Sequence, residues 1–446
     1  MGSPASAGSG GADFSVGGHV YQRGKLAPAV LHIDSTRGRI VSVAKSTRLA
    51  NHLDLGSRAI LPGAIDAHVH FREPGHTHKE DITTGSIAAA FGGVTGFADM
   101  PNTLPATISL RTVRDKLALM AQKAVVDYGV WAGGSWYTGD LPQMLRYAVG
   151  VKTYLGATTG DLLLEDADRF QAILAAAGGS GRPVALHAES QRILTATKRT
   201  EGTLADHDNF RPPAAEVEAI YDTMKAMAAT KRPPRIHIAH VTSAEAVQAA
   251  NTAKFSLGAT PHHLLLDTSA ALTHAYGKVN PPLRSPAARK ALWDLFLQGK
   301  IPILESDHAP HTAVEKEDAF HAAPSGVPGV ETMMPTLLAH ARGAKGAKIL
   351  QTIVDASSLH PAALLGLTDR GALESGMRAD FAVYDLKHTT KVDAANLHSR
   401  CGWSPFEGLP AVFPTHTFLA GKPVVADHEL VGTPGTGKSL VALPKD

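Results

Sequence analysis

Two rhythms of apolar and polar positions divide this chain. From residue 60 onward, short β-type apolar runs alternate with stretches in which apolar side chains return every three or four positions, the pattern of parallel strands joined by crossover helices. Eight such runs occur, at 60–70, 94–101, 125–132, 149–156, 182–189, 235–241, 255–263 and 301–311. Helical spacing marks the intervening stretches 79–91, 110–123, 214–229 and 287–297. Eight parallel strands with helices between them predict an α/β fold, a (β/α)8 barrel of the TIM type. The flanks read differently: 14–60 and 375–430 are β-rich with turn signals, as in GGHVYQRGKLAPAVLHID and ADFAVYDLKHTTKVD. Neither flank has enough strands to cover both faces of a sheet, so together they predict one small β-sandwich built from both chain ends. The barrel is expected over 61–374, with 1–13 as a flexible leader and 431–446 as a flexible tail.

In a barrel of this kind the reacting groups gather at the C-terminal strand ends, where the βα loops converge. The first run ends in His68 and His70, the fourth contains Lys152, and the fifth ends in His187 and Glu189. The sixth ends in His240, the seventh in His262 and His263, and the eighth in Asp307, His308 and His311. Because side chains alternate along a strand, His68 and His70 point to one side and can chelate a metal ion together. Alone, such a pair reads equally well as two barrel-lining histidines. Delivery of His, Lys and Asp to the same rim by further strands favours a metal centre, and imidazole with carboxylate suits zinc with an open position for hydrolysis. Lys152 is out of place as an ammonium beside a dication in an apolar strand. It either reaches solvent from the strand end, or its neutral amine takes up carbon dioxide and becomes a carbamate able to bridge two metals.

Composition narrows the class of partner. A chain of 446 residues that is 44 % hydrophobic has material for one large domain and a smaller appendage. With 43 Lys and Arg against 41 Asp and Glu, nothing in the totals points to nucleic acid or a membrane, so a small anionic substrate must be gripped locally. The single cysteine, Cys401, excludes an internal disulfide framework and a cysteine-based structural zinc site, and fits a reducing, cytoplasmic setting. MGSPASAGSGGA at the start has neither the basic start nor the apolar run of a signal peptide. GTPGTGKS at 432–439 satisfies the phosphate-loop pattern, but the seven residues after Ser439 include Pro444 and cannot supply the helix that such a loop opens.

The segment DAHVHFREPGHTHKED, followed in order by DMPNT, GVKTYLG, LHAE, HIAHVTS, ATPHHL, VNPPLR, SDHAPHT and GVPGVET, strongly resembles dihydroorotases of the amidohydrolase superfamily, from about Leu61 to WSPFEG at 403–408. The resemblance implies a zinc hydrolase that interconverts dihydroorotate and N-carbamoyl-L-aspartate in pyrimidine synthesis. It implies that His68, His70 and Asp307 hold one zinc, that His187 and His240 hold a second, and that Lys152, as its carbamate, and a hydroxide bridge them. Arg72 and Asn102, with His311, would bind the substrate carboxylate, while Asn280 and the backbone around Ser325 and Gly326 would contact the ring. Asp307, within hydrogen-bond reach of the bridge, would take the hydroxide's proton and pass it to the leaving amide nitrogen. A homo-oligomer or a complex with other enzymes of the pathway is compatible with the family.

Departures from the family pattern are also visible. Lys152, where many bacterial single-function relatives carry an aspartate, places the site nearer the carbamylated-lysine branch. The domain in the animal multifunctional enzyme has a cysteine and a glutamate where this chain has Ala239 and Gly258, which argues against a third metal. Its Thr-Phe loop pair is matched here by Thr158 and Thr159. Allantoinases and hydantoinases would share barrel and ligands, but their cyclic ureides lack the carboxylate that Arg72 and Asn102 would bind. A catalytically dead scaffold would be expected to lose ligands, and all six are present.

Overall fold

The computed structural model describes residues 11–199 and 202–444, so the first ten residues of the expected leader lie outside the described residues. Eight parallel strands pair in chain order: Ala64–Val69, Val94–Asp99, Asp127–Gly134, Gly150–Tyr154, Val184–His187, Ile236–Ile238, Ser256–Ala259 and Ile303–Leu304. The ring is joined where Val69 pairs in parallel with His308 and the His70 N–H donates to the His308 carbonyl at 2.7 Å. This is the expected (β/α)8 barrel. Its helices begin where local chemistry lets them: Asp81 and Ser109 form capping boxes with Thr84 and Thr112 at the starts of Ile82–Phe91 and Leu110–Lys123. Proline opens Pro213–Ala228 and Pro286–Leu297, where its missing N–H would have lacked an intrahelical partner anyway. Among the described residues, no helix is long and apolar enough to cross a membrane.

The two chain ends do share a sheet. Phe14–Gln22, Lys25–Asp34, Arg39–Ala44 and His52–Pro62 from the front join Phe381–Tyr384, Pro414–Leu419, Lys422–Ala426 and Glu429–Leu430 from the back in one eight-stranded sheet. The seam is the antiparallel pairing of Phe381–Tyr384 with the end of His52–Pro62. Strand alternation explains how this sheet serves two cores. Ile60, Phe381, Val383 and Phe418 join Val16, Leu31 and Ile33 in a core of the sheet's own, whereas Ala59, Leu61, Ala382, Tyr384 and Leu419 point the other way into the barrel's apolar cluster.

Three expectations shift. The run 60–70 is two strands, because Pro62 ends in the terminal sheet and Ala64 begins the barrel across Gly63. The run 301–311 is strand only at Ile303–Leu304; the rest is a non-repetitive segment that crosses the rim. The expected flexible tail is docked along the barrel. Gly437 N–H donates to the Ala124 carbonyl at 3.0 Å, Lys438 N–H to Asp127 Oδ1 at 2.8 Å, and Ser439 pairs in parallel with Tyr128. The cause is apolar: Leu440 and Val441 are buried with Ile65, Ala67, Ala98, Trp131, Ala185 and Ile303, which come from strands around the ring. GTPGTGKS is therefore a packed strap against the third barrel strand, without the helix that a phosphate loop needs.

Candidate active site

The strand ends bring the sequence-named residues together. His68, His70, Arg72, Asn102, Lys152, His187, His240, Asn280, Asp307, Ser325 and Gly326 line one cavity with Tyr154, Thr158 and Thr159. His311 stands behind the lining, with Nε2 3.1 Å from Arg72 Nη2 and 3.1 Å from the Ser325 carbonyl.

Two pairs of imidazoles face the cavity. Nε2 of His68 and Nε2 of His70 lie 3.3 and 3.2 Å from Oδ1 of Asp307, and these three residues form a compact, buried group with metal-ligand spacing. Nδ1 of His187 and Nε2 of His240 lie 3.3 Å apart. Burial lowers the pKa of all four histidines, that of His68 to about 4, which keeps the rings neutral and their lone pairs available.

Neighbouring groups fix how each ring is presented. Asn102 Oδ1 accepts from Nδ1 of His70 at 2.7 Å, and Glu189 accepts from Nε2 of His187 at 2.8 Å, which leaves His70 Nε2 and His187 Nδ1 for the cavity. Glu189 is itself clasped by the Arg211 guanidinium. Burial pushes the Glu189 carboxyl up, but Arg211 and His187 outweigh it and keep it ionised. Glu189 was legible at its strand end but not as part of a site, and Arg211, which reaches it from the end of a helix, gave no signal at all. Glu305 is the other acid the strand-end pattern missed, on the segment leading to Asp307.

Lys152 is fully buried, and its Nζ has no hydrogen-bond partner. Desolvation brings its pKa down to about 8, against the attraction of Glu305 and Asp307. It lies close enough to act electrostatically on His68, His187 and His240 alike. A snorkelling lysine would show the opposite burial.

The Arg72 side of the cavity is built on unusual backbone. Arg72 has φ 63° and lines the cavity, with its Nε donating to the Pro310 carbonyl at 3.0 Å and its Nη2 facing His311. Asn102 Nδ2 donates to the Thr159 carbonyl at 3.1 Å, which uses one of its two hydrogens. Thr158 Oγ1 accepts from Asn280 Nδ2 at 3.3 Å, and Thr159 Oγ1 donates to the Ser325 carbonyl at 3.2 Å, so this loop lies closed across the cavity. Gly326, at φ 140°, has no room for a side chain, since a Cβ would lie 2.5 Å from the Ala309 carbonyl oxygen. Two buried lysines hold the segment in place: Lys316 donates to the carbonyls of Lys278, Pro324 and Gly326, and Lys278 to those of Phe320 and Ala323.

Known proteins resemble this chain over most of its length. The amidohydrolase family model matches residues 59–424. A dihydroorotase of Methanosarcina acetivorans is 35 % identical over 94 % of this chain and 93 % of its own length. One from Halobacterium salinarum is 39 % identical over 82 % of this chain and 86 % of its own. Among solved structures, an L-hydantoinase (dihydropyrimidinase) from Arthrobacter aurescens superposes with a TM-score of 0.90 at 26 % identity, covering 97 % of this chain and all of that one.

Proposed function

The chain belongs to the amidohydrolase family, among its dihydroorotases, and from that premise we propose that two zinc ions, joined by a carbamate on Lys152, form its reacting centre. The reaction is the reversible hydrolysis of a cyclic amide, dihydroorotate, to N-carbamoyl-L-aspartate. One observation carries the metal reading: a fully buried lysine nitrogen without a partner, beside two imidazole pairs of which only the first has a carboxylate against its cavity-facing nitrogens. A second divalent ion at His187 and His240 needs a further anionic ligand, and a carbamate on Lys152 supplies one while removing an ammonium from the apolar interior. When bound, a zinc pair activates water as a nucleophile near neutral pH and polarises the ring carbonyl.

The chain's own residues do the rest. Arg72 offers a planar fork to the substrate carboxylate, and Asn102 offers the amide hydrogen that Thr159 leaves free. His311 steadies Arg72 from behind. Asn280 and the backbone at Ser325 and Gly326 lie against the ring and orient it. Asp307, with one carboxylate oxygen on both His68 and His70, has its other oxygen to take a proton from the nucleophile and return it to the leaving ring nitrogen. The closed Thr158–Thr159 loop excludes bulk water from the carbonyl. A hydantoin ring would leave Arg72 without its anion, which favours the carboxylated substrate.

The carbamate is tested by exposing zinc-free protein to ¹³C-bicarbonate, adding zinc and recording a carbon spectrum. One stoichiometric carbamate resonance, absent from Lys152→Ala, is expected; full zinc uptake and turnover without that resonance would remove Lys152 from the bridge.

A further inference from the structure

Glu305 lies two residues before Asp307, is 1 % exposed, and ties together the first and sixth barrel strands. Its Oε1 accepts the backbone N–H of His240 at 2.6 Å. Its Oε2 accepts Nε2–H of His237 at 3.2 Å, while Nδ1 of that ring meets Ser256 Oγ at 3.2 Å. The same Oε2 is 3.6 Å from Nδ1 of His68, a buried nitrogen with no hydrogen-bond partner of its own. We infer that Glu305 is a positioning residue that sets the two metal-ligand groups relative to each other, and that Gly258 exists to make room for it. The inference rests on the ligand reading proposed above.

At His68, a carboxylate beside Nδ1 keeps the hydrogen there and leaves the Nε2 lone pair on the Asp307 side. At His240 the backbone has φ 40°, in the left-handed region that residues with a Cβ disfavour. The bond from its N–H to a carboxylate offsets that strain, and the turn so held brings Nε2 of His240 to within 3.3 Å of Nδ1 of His187. One carboxylate therefore acts on a ring from each group. Gly258, on the seventh strand between them, is the spatial condition, because a Cβ there would sit 2.3 Å from Glu305 Oε1 and displace it. Neither residue touches the substrate-binding side of the cavity, whose lining includes neither of them.

The test is a zinc-competition titration of the full zinc-loaded chain with a chromophoric chelator, for wild type, Glu305→Gln, Gly258→Ala and the double variant Gly258→Ala/Glu305→Asp, with circular dichroism to confirm folding. Glu305→Gln keeps the volume but turns one acceptor into a donor, and is expected to release zinc about ten- to a hundredfold more readily than wild type. Gly258→Ala should shift the same way. Shortening the acid in the double variant should recover part of the affinity that Gly258→Ala loses, because it relieves the contact of the new Cβ with the carboxylate. Wild-type zinc retention by a folded Glu305→Gln would overturn the inference, as would a double variant weaker than both single ones. If Glu305→Gln fails to fold, the Gly258→Ala pair decides by the same rule. Wild-type protein that takes up no zinc would instead overturn the proposed metal centre, so the two failures are distinct.

Discussion

In the proposed reading, substrate choice turns on Arg72 and metal binding on Lys152. A lost charge-assisted grip on a bound anion typically costs about 2–5 kcal/mol, roughly thirtyfold to several thousandfold in affinity. Arg72→Met is therefore expected to lower kcat/KM for dihydroorotate by that range with zinc content unchanged, and to bring its rate close to that on dihydrouracil, the ring without the carboxylate. A mutant that loses stability but keeps wild-type kinetics would reduce Arg72 to a packing residue. Lys152→Ala should be inactive, and short carboxylic acids with added zinc should restore part of the rate, since the position needs an anion rather than a lysine. An unaffected mutant would end the carbamate reading. Lys152 was legible as a charge inside an apolar β-type run, and the histidines and Asp307 as polar residues near the ends of such runs, whereas Arg72 was named through the family resemblance. Glu189 and Glu305 were not legible as site residues, since their roles come from contacts with Arg211, His237 and the His240 backbone, which no sequence spacing displays.

Helices read from apolar spacing were placed closely: 110–123 coincides with Leu110–Lys123, 214–229 and 287–297 lie within one residue of Pro213–Ala228 and Pro286–Leu297, and 79–91 starts three residues before Ile82–Phe91. Elements whose existence depends on distant partners were not. The strand break at Gly63 follows from the pairing of Pro62 with Phe381, more than three hundred residues away in the chain. The strap at 432–441 was hidden for a similar reason: its buried pair, Leu440 and Val441, is too short to make a periodic signal, and the glycines around it look like a flexible tail. A chain ending at Val431 should lose about 3–6 kcal/mol from exposure of two buried aliphatic side chains, as an upper bound, and melt at a lower temperature. Wild-type thermal stability in that truncation would show that the strap contributes nothing. ATP should leave the melting temperature of the intact chain unchanged.

At the scale of the whole molecule, the sheet built from both chain ends and the barrel form one apolar body, because alternate residues of Ile60, Leu61, Phe381 and Ala382 serve the two cores in turn. Barrel strands then deliver two imidazole pairs, a carboxylate and a buried lysine to one rim, with an arginine fork and an amide beside them. The proposed centre makes one demand on the intact protein that no single variant can meet, namely its metal count. Elemental analysis of reconstituted protein, paired with turnover of dihydroorotate on the same sample, should give two zinc ions per chain at full activity, with activity rising as the second ion is taken up. Full activity at one zinc per chain, unchanged by further metal, would contradict the binuclear centre.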